Sequence, residues 1–381
     1  MNFVSRISHG LYYKCMTLLY YIFRVFPIKR KIVVSNYNGL GFGDNVKAIV
    51  LELYRLFPEI DIVWLVNKKD DSIPKWIRQV KNKSLFAIYE MVTSQIWIDN
   101  TRKPVYVRKR KGQFYIQTWH GSIALKRIEN DCGSALPQSY ITMAKNDAKM
   151  TNVMISNGTF CTEMYKRAFW YDGDIWEVGS PRCDQLINSR KKYNNVRRLY
   201  GISSEETVLL YAPTFRKGGK NVYDLDFDKL RNALKRKYNK DVKILVRMHP
   251  NIQNLNYGFI FNNYILNAST YSDMNDLLSE CDFLITDYSS CMFDMAYAGK
   301  TVLIYAPDID DYKKDRGFYF PINSLPFPVA TNNNELFNVI MKFNEVKYLN
   351  DLRSFFEANG VKECGNASII VANRIIKLMT K

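Results

Sequence analysis

Histidine is scarce in this chain, with three residues in 381. Cysteine occurs seven times (Cys15, Cys132, Cys161, Cys183, Cys281, Cys291, Cys364), scattered and without a CxxC pair. That spacing argues against a zinc module or a disulfide framework and suits a reducing compartment. Long uncharged apolar runs are also missing. The best candidate, LYYKCMTLLYYIFRVFPI over 11–28, is interrupted by Lys14 and Arg24, whereas a spanning helix needs about 20 mostly uncharged residues. The same stretch lacks a small-residue cleavage site and runs into Pro27-Ile28-Lys29-Arg30-Lys31, so it does not read as a cleavable signal. There is no short-period repeat and no low-complexity tract.

What is present reads as a folded globular protein: 47% hydrophobic residues and 24% charged. A chain of 381 residues suggests two domains of roughly 150–200 residues each. The formal net charge of +17 must attract something anionic. Nucleic acid, acidic lipid headgroups and nucleotide-diphosphate substrates all qualify on charge alone. The basic residues are spread along the chain without a recognised nucleic-acid module, so no nucleic-acid partner is expected. Residues 1–30 read as an amphipathic membrane-associating segment. Aromatics with basic flanks suit the headgroup region of an anionic membrane, and the alternative is a terminal helix packed on the protein's own surface.

A strand–helix rhythm follows. Strands are expected at 32–37, 61–67, 95–100, 113–119, 152–157 and 175–180, and then, beyond a polar basic stretch, at 207–213, 242–248, 283–288 and 301–307. Helical patterns are expected near 226–239 and over 333–343, 346–358 and 366–379, the last able to pack back across both halves. Short apolar runs alternating with helices imply parallel sheets. The expected fold is therefore α/β, with two Rossmann-like parallel-sheet domains and a cleft between them. The boundaries are 31–187 for the first domain, 188–206 for a linker and 207–381 for the second with its C-terminal helices.

Two of the three histidines sit just past expected strands, where ligands collect on open α/β sheets: His120 in QTWHGS and His249 in VRMHPN. His9 lies in the N-terminal helical stretch and reads as structural or surface. The loop NGLGFGDN, with Gly41, Gly43, Asp44 and Asn45, leads from a strand into a helix, the context of an anion-binding turn. Its spacing is G-x-G-x-G rather than the dinucleotide G-x-G-x-x-G, and tight turn geometry alone explains it equally. In DFLITDYSSCMF a strand ends in Asp287, and Ser289 and Ser290 open the next helix, either as a phosphate cradle or as ordinary caps. Arg216, Arg247 and Arg182 each follow an expected strand, and together they suit a diphosphate whose charge grows as a leaving group departs. The acidic pairs Asp224/Asp226, Asp226/Asp228 and Asp308/Asp310 mimic D-x-D, but no metal and no cofactor is required.

The segments FGDNVKAIVLEL, DIVWLV, QTWHGS, GSPRCD, YAPTFR, RMHP, LITDYSSCMFDMA and RGFYF, in that order over about residues 31 to 320, resemble the CDP-glycerol glycerophosphotransferase family of wall teichoic acid synthesis. The resemblance implies a GT-B fold, a CDP-polyol donor and a polyprenyl-diphosphate-linked acceptor at the cytoplasmic face of the bacterial membrane. His120 would be the catalytic base. His249, the other catalytic candidate, would sit by the donor phosphates with Arg216, Ser289 and Ser290, supported by Asp287; the reading of the residues adds Arg182 and Arg247 to the phosphate contacts and puts Gly41, Gly43, Asp44 and Asn45 on the acceptor side. The sequence departs from the family where Pro321 follows RGFYF, in place of an acidic residue, and at Cys183. The long N-terminal extension of the polymerases is not expected. A CDP-ribitol donor, or a nucleotide sugar on the same scaffold, stays open as the alternative.

Overall fold

The structure, a computed structural model, describes residues 3–188, 195–214, 216, 224–248, 259–310 and 317–380. It divides into two compact units, and each contains one parallel sheet. In the first unit the strands are β1 (Lys29–Ser35), β2 (Asp61–Val66), β3 (Arg78–Lys81), β4 (Ser94–Asp99), β5 (Phe114–Gln117), β6 (Val153–Ser156) and β7 (Asp174–Glu177), in the order β3-β2-β1-β4-β5-β6-β7. The second unit holds β8 (Thr207–Tyr211), β9 (Val242–Val246), β10 (Ile265–Asn267), β11 (Phe283–Thr286), β12 (Thr301–Tyr305) and β13 (Val329–Ala330), in the order β10-β9-β8-β11-β12-β13.

The apolar runs explain the central strands. Side chains alternate across a strand, and a parallel sheet is covered on both faces, so its inner strands are apolar throughout. In β1, Ile32 and Val34 face a cluster with Val46, Ile49 and Leu53 of the helix Asp44–Leu56 and with Val371 and Ile375 of the helix Ala367–Thr380. Val33 faces the opposite cluster, which contains Met16 and Tyr20 of the helix Phe3–Ile22. Edge strands β3, β10 and β13 were not expected from the sequence. β3 reads RQVK with no residue fully buried, and edge strands lack the apolar run that marks a buried one.

The N-terminal helix packs one face on the first unit, as the second of the two readings of that segment has it. Met16 and Tyr20 are buried against the first unit, while Leu11, Leu18, Tyr21 and Ile22 are exposed. Among the described residues no helix is long and apolar enough to cross a membrane.

The unit boundaries differ from those expected at three places. Residues 121–128 belong with the second unit although their neighbours on both sides belong to the first. Residues 362–381, including the helix Ala367–Thr380, belong to the first unit rather than the second. The expected linker is not a free connector in its described part: Val196 is buried, and Arg197 donates to Asp282 and to the carbonyls of Ser203 and Glu206 in the second unit. Its residues 189–194 lie outside the described ones.

The C-terminal helix docks through a polar contact as well as its apolar stripe. The first N–H groups of a helix lack internal partners. Here the Asp184 carboxylate accepts from Ala367 N at 3.0 Å, from Ser368 N at 2.7 Å and from the Ser368 hydroxyl. Hydrogen bonds to a charged acceptor contribute about 1.5–3 kcal/mol. Asp184→Ala should therefore lower unfolding free energy by about 2–3 kcal/mol in urea denaturation, more than Ser368→Ala. A loss below about 0.5 kcal/mol, the range of an inert surface change, would contradict this docking.

Candidate active site

His120 lies just beyond β5, in a loop whose shape is set by its neighbours. Trp119 has a positive φ of 53° and Asp44 one of 60°. Such conformations cost non-glycine residues on the order of 1–3 kcal/mol each and persist only where surrounding bonds impose them. Those bonds are present. The Trp119 N–H donates to Gln117 Oε1 at 2.9 Å, and the Trp119 carbonyl accepts from Asn45 Nδ2 at 3.1 Å. Gln117 is held in turn by donating to the Tyr115 hydroxyl, which donates to the buried Asp147. Asp147 and Glu129 both pair with buried Arg102.

The imidazole itself has a defined tautomer. Nδ1 of His120 lies 2.7 Å from the Asn100 carbonyl at the end of β4. A carbonyl only accepts, so Nδ1 carries the hydrogen and Nε2 carries the basic lone pair. The ring is flanked by Trp119, with centroids 4.1 Å apart, and by Tyr37 at 5.4 Å. Burial lowers its pKa below the ordinary 6.5, in the same direction as the charge of Arg182 and against the Asn100 bond and the Asp44 charge. The neutral base is thus the resting form near pH 7.

The glycine loop before the helix Asp44–Leu56 packs around this group. Gly41 takes a positive φ of 69°, and Gly43 is extended at the helix start. Asp44 is buried and accepts from the Tyr37 hydroxyl at 2.8 Å. Arg182 donates to Asp44 at 3.1 Å and to the His120 carbonyl at 2.7 Å, while its own N–H donates to Asn45 Oδ1 at 3.1 Å. Sequence reading placed Arg182 on the donor phosphates. The structure instead makes it a buried brace between the glycine loop and the His120 loop, its charge matched by Asp44.

The second unit gathers the other candidates at the ends of β8, β9 and β11. Asp287 accepts from Thr214 N at 2.9 Å, from Tyr288 N at 2.6 Å and from Arg216 Nη2 at 2.7 Å. Arg216 also binds Asp308 through Nε at 2.6 Å and Nη2 at 3.1 Å, and its Nη1 donates to the Thr214 carbonyl at 2.8 Å. Here again an arginine expected on phosphate is matched by carboxylates, two of them, and it stacks on Tyr288 at 4.9 Å. Burial disfavours the charged form of Asp308, but the Arg216 bonds outweigh it and lower its pKa. Arg247 is half-buried and donates to the carbonyls of Tyr271 and Ser272. Ser289 and Ser290 are partly exposed at the start of the helix Cys291–Tyr297, where the Ser290 hydroxyl makes no capping bond. His249 lies outside the described residues.

Residues 121–128, directly after His120, are held in this second unit. Ser122 Oγ lies 2.9 Å from the Tyr297 hydroxyl, Arg127 N donates to Gly317 O, and Tyr319 N donates to Leu125 O. The D-x-D spacings have other uses. Asp226 caps the helix Phe227–Tyr238, Asp224 accepts from Tyr305, and Asp228 accepts from Tyr264. Asn100, Tyr37 and Trp119 were not singled out by sequence reading, and Asp308 was named only as half of a D-x-D spacing. Asn100 and Tyr37 end expected strands, so the criterion that found His120 would have reached them; Asp308 is tied to the site only by long-range contact.

With the geometry in place, comparison with known proteins is informative. The family described as CDP-Glycerol:Poly(glycerophosphate) glycerophosphotransferase matches residues 18–377. A teichoic acid poly(glycerol phosphate) polymerase of Staphylococcus epidermidis is 31% identical over 91% of this chain; the chain spans about half of that polymerase, 50% of its length. A teichoic acid glycerol-phosphate transferase of Staphylococcus aureus is 28% identical over 97% of this chain and 98% of its own. The solved wall teichoic acid polymerase TagF, as a histidine-to-asparagine variant soaked with CDPG, superposes with a TM-score of 0.84 at 27% identity, covering 100% of this chain and 99% of that one. The architecture is of the GT-B class, two Rossmann-like parallel-sheet units.

The tautomer and pKa of His120 are directly measurable, since only three histidines contribute imidazole signals. Nitrogen-15 spectra of the protein should show one imidazole locked as the Nδ1–H tautomer, titrating below pH 6.5 and absent in His120→Asn. Between that lower value and 6.5 the unfolded chain binds more protons, so this group makes stability rise with pH there. An Nε2–H tautomer, or titration above 6.5, would contradict the geometry.

Proposed function

The chain belongs to the CDP-glycerol:poly(glycerophosphate) glycerophosphotransferase family, and on that premise we propose that it transfers glycerol phosphate from CDP-glycerol to a hydroxyl of a polyprenyl-diphosphate-linked, teichoic-acid-type acceptor. The observation that carries this reading is the oriented imidazole: the Asn100 carbonyl takes the Nδ1 hydrogen of His120 and leaves Nε2 basic. In the reaction Nε2 accepts the proton of the acceptor hydroxyl as its oxygen bonds to the phosphorus bearing the polyol. The bond from that phosphorus to the bridging oxygen breaks, and CMP leaves with the electron pair.

On this proposal His120 is the base, and the loop with Gly41, Gly43, Asp44 and Asn45 lies on the acceptor side. Arg247, Ser289, Ser290 and His249 contact the donor phosphates. Asp287, Arg216 and Asp308 act indirectly, by fixing the loop after β8 against the end of β11, and Arg182 acts indirectly by bracing the His120 loop. Phosphoryl transfer depends mainly on positioning and electrostatics, so such braces matter without touching substrate. The exposed Leu11, Leu18, Tyr21 and Ile22, together with the net charge of +17, suit attachment to the anionic cytoplasmic face of the membrane, where a lipid-linked acceptor is found.

Purified protein offered CDP-glycerol, CDP-ribitol, and UDP- and GDP-sugars with a synthetic linkage-unit lipid should release CMP with CDP-glycerol, and mass analysis of the product should show added glycerol phosphate. His120→Ala should lower the rate by about 10²–10⁴-fold, the worth of a general base, while equilibrium binding of CDP-glycerol stays within about twofold of wild type. Turnover of a nucleotide sugar without CMP release, or a His120→Ala variant that loses donor binding yet regains full rate at saturating donor, would reject the assignment.

A further inference from the structure

The carboxyl edge of the first sheet carries a concave feature apart from the His120 loop. A cavity of about 930 Å³ opens at the ends of β2 and β3, lined by Lys68, Lys69, Lys75 and Lys81 over an apolar floor of Val66, Ile73 and Ile77. All four lysines are exposed, and the one acidic residue in the lining is Asp71, 3.5 Å from Lys69. No bond described for the active site uses these lysines.

Its place in the sheet links it to that site. The strand order β3-β2-β1-β4-β5, at about 4.8 Å per strand, sets the ends of β2 and β3 about 14–19 Å along the edge from the end of β5, which leads to His120. The wall is joined to the intervening glycine loop by hydrogen bonds. Asn67 N donates to Gly39 O at 2.9 Å, and Asn82 Nδ2 donates to Asn38 O at 2.8 Å. Gly39 has a φ of 92°, and a side chain there would meet Asn67 Oδ1 at 2.9 Å.

We propose that this lysine-lined cavity binds the already-formed polyol-phosphate chain of the acceptor, several repeats away from its reacting hydroxyl. Lysine presents a point charge on a flexible stem, which suits phosphates whose positions vary along a flexible chain better than arginine's rigid fork. The apolar floor suits the carbon backbone between phosphates. A concave wall only a few strands from the base favours a chain threaded toward His120 over a flat bilayer surface. This inference rests on the polyol-phosphate chemistry proposed above.

The test reads binding without turnover, so a missing transferase activity and a missing chain site are separate results. Fluorescently labelled oligo(glycerol phosphate), long and single-phosphate, is titrated into wild-type protein and into Lys68→Gln/Lys75→Gln/Lys81→Gln, alongside Lys240→Gln/Lys342→Gln/Lys377→Gln as a charge-matched variant at exposed lysines elsewhere. The first triple variant should raise the Kd of the long oligomer at least about tenfold and flatten its dependence on salt, with single-phosphate binding and melting temperature unchanged. Single substitutions at Lys75 or Lys81 should raise the same Kd by about two- to threefold. Equal Kd values in the two triple variants would overturn the proposal. So would loss of binding to phosphatidylglycerol vesicles with oligomer binding intact, which would make the cavity a lipid-headgroup site.

Discussion

The hydrogen bond from His120 Nδ1 to the Asn100 carbonyl decides which imidazole nitrogen can accept a proton, and the surrounding loop is arranged to keep that bond. A backbone carbonyl at the end of β4 is held by the sheet itself, so the orientation of the ring is inherited from the strands. Trp119 accepts an unfavourable φ to turn the chain, and bonds to Gln117 and Asn45 hold it there. The glycine loop contributes Asp44 and Asn45 to the same assembly, and Arg182 ties its two ends together. In the proposed reaction a base held this way would have little reorientation to do when a hydroxyl arrives, which is where much of the advantage of a fixed site lies.

Two of the buried arginines, Arg182 in the first unit and Arg216 in the second, make the same point. Arg182 is paired with Asp44, and Arg216 with two carboxylates, Asp287 and Asp308. Burying an ion pair adds little to net stability, because desolvation offsets the attraction, but removing one partner is strongly destabilising. Such pairs are better at fixing loops than at offering charge to a ligand. They fix the loops on which His120, Thr214 and Tyr288 sit.

Most of the fold was legible because inner strands of a parallel sheet must be apolar, and IVV, IVWLV, IWI, VLL and FLI announce themselves. The edge strands β3, β10 and β13 were not, since RQVK, a three-residue strand and a two-residue strand carry no such run. The C-terminal helix was legible as a helix, but its partner was set by Asp184 and by the stripe Val371, Ile375 and Met379, and neither names a surface in advance. Strand-end position located His120 and the loop that holds it. The roles of Arg182 and Arg216 were not legible, because their carboxylate partners lie 138 and 71 residues away in sequence and no local pattern announces a pairing at that range.

The central claim is that the lone pair on His120 Nε2 takes the acceptor proton. Chemical rescue tests it most directly: transfer by His120→Gly is measured with and without added imidazole across a pH range. The account predicts a rate that is nearly absent alone and rises with the concentration of neutral imidazole, with no gain from imidazolium. Wild-type rates in the unrescued variant, or rescue that follows the cationic form, would contradict it.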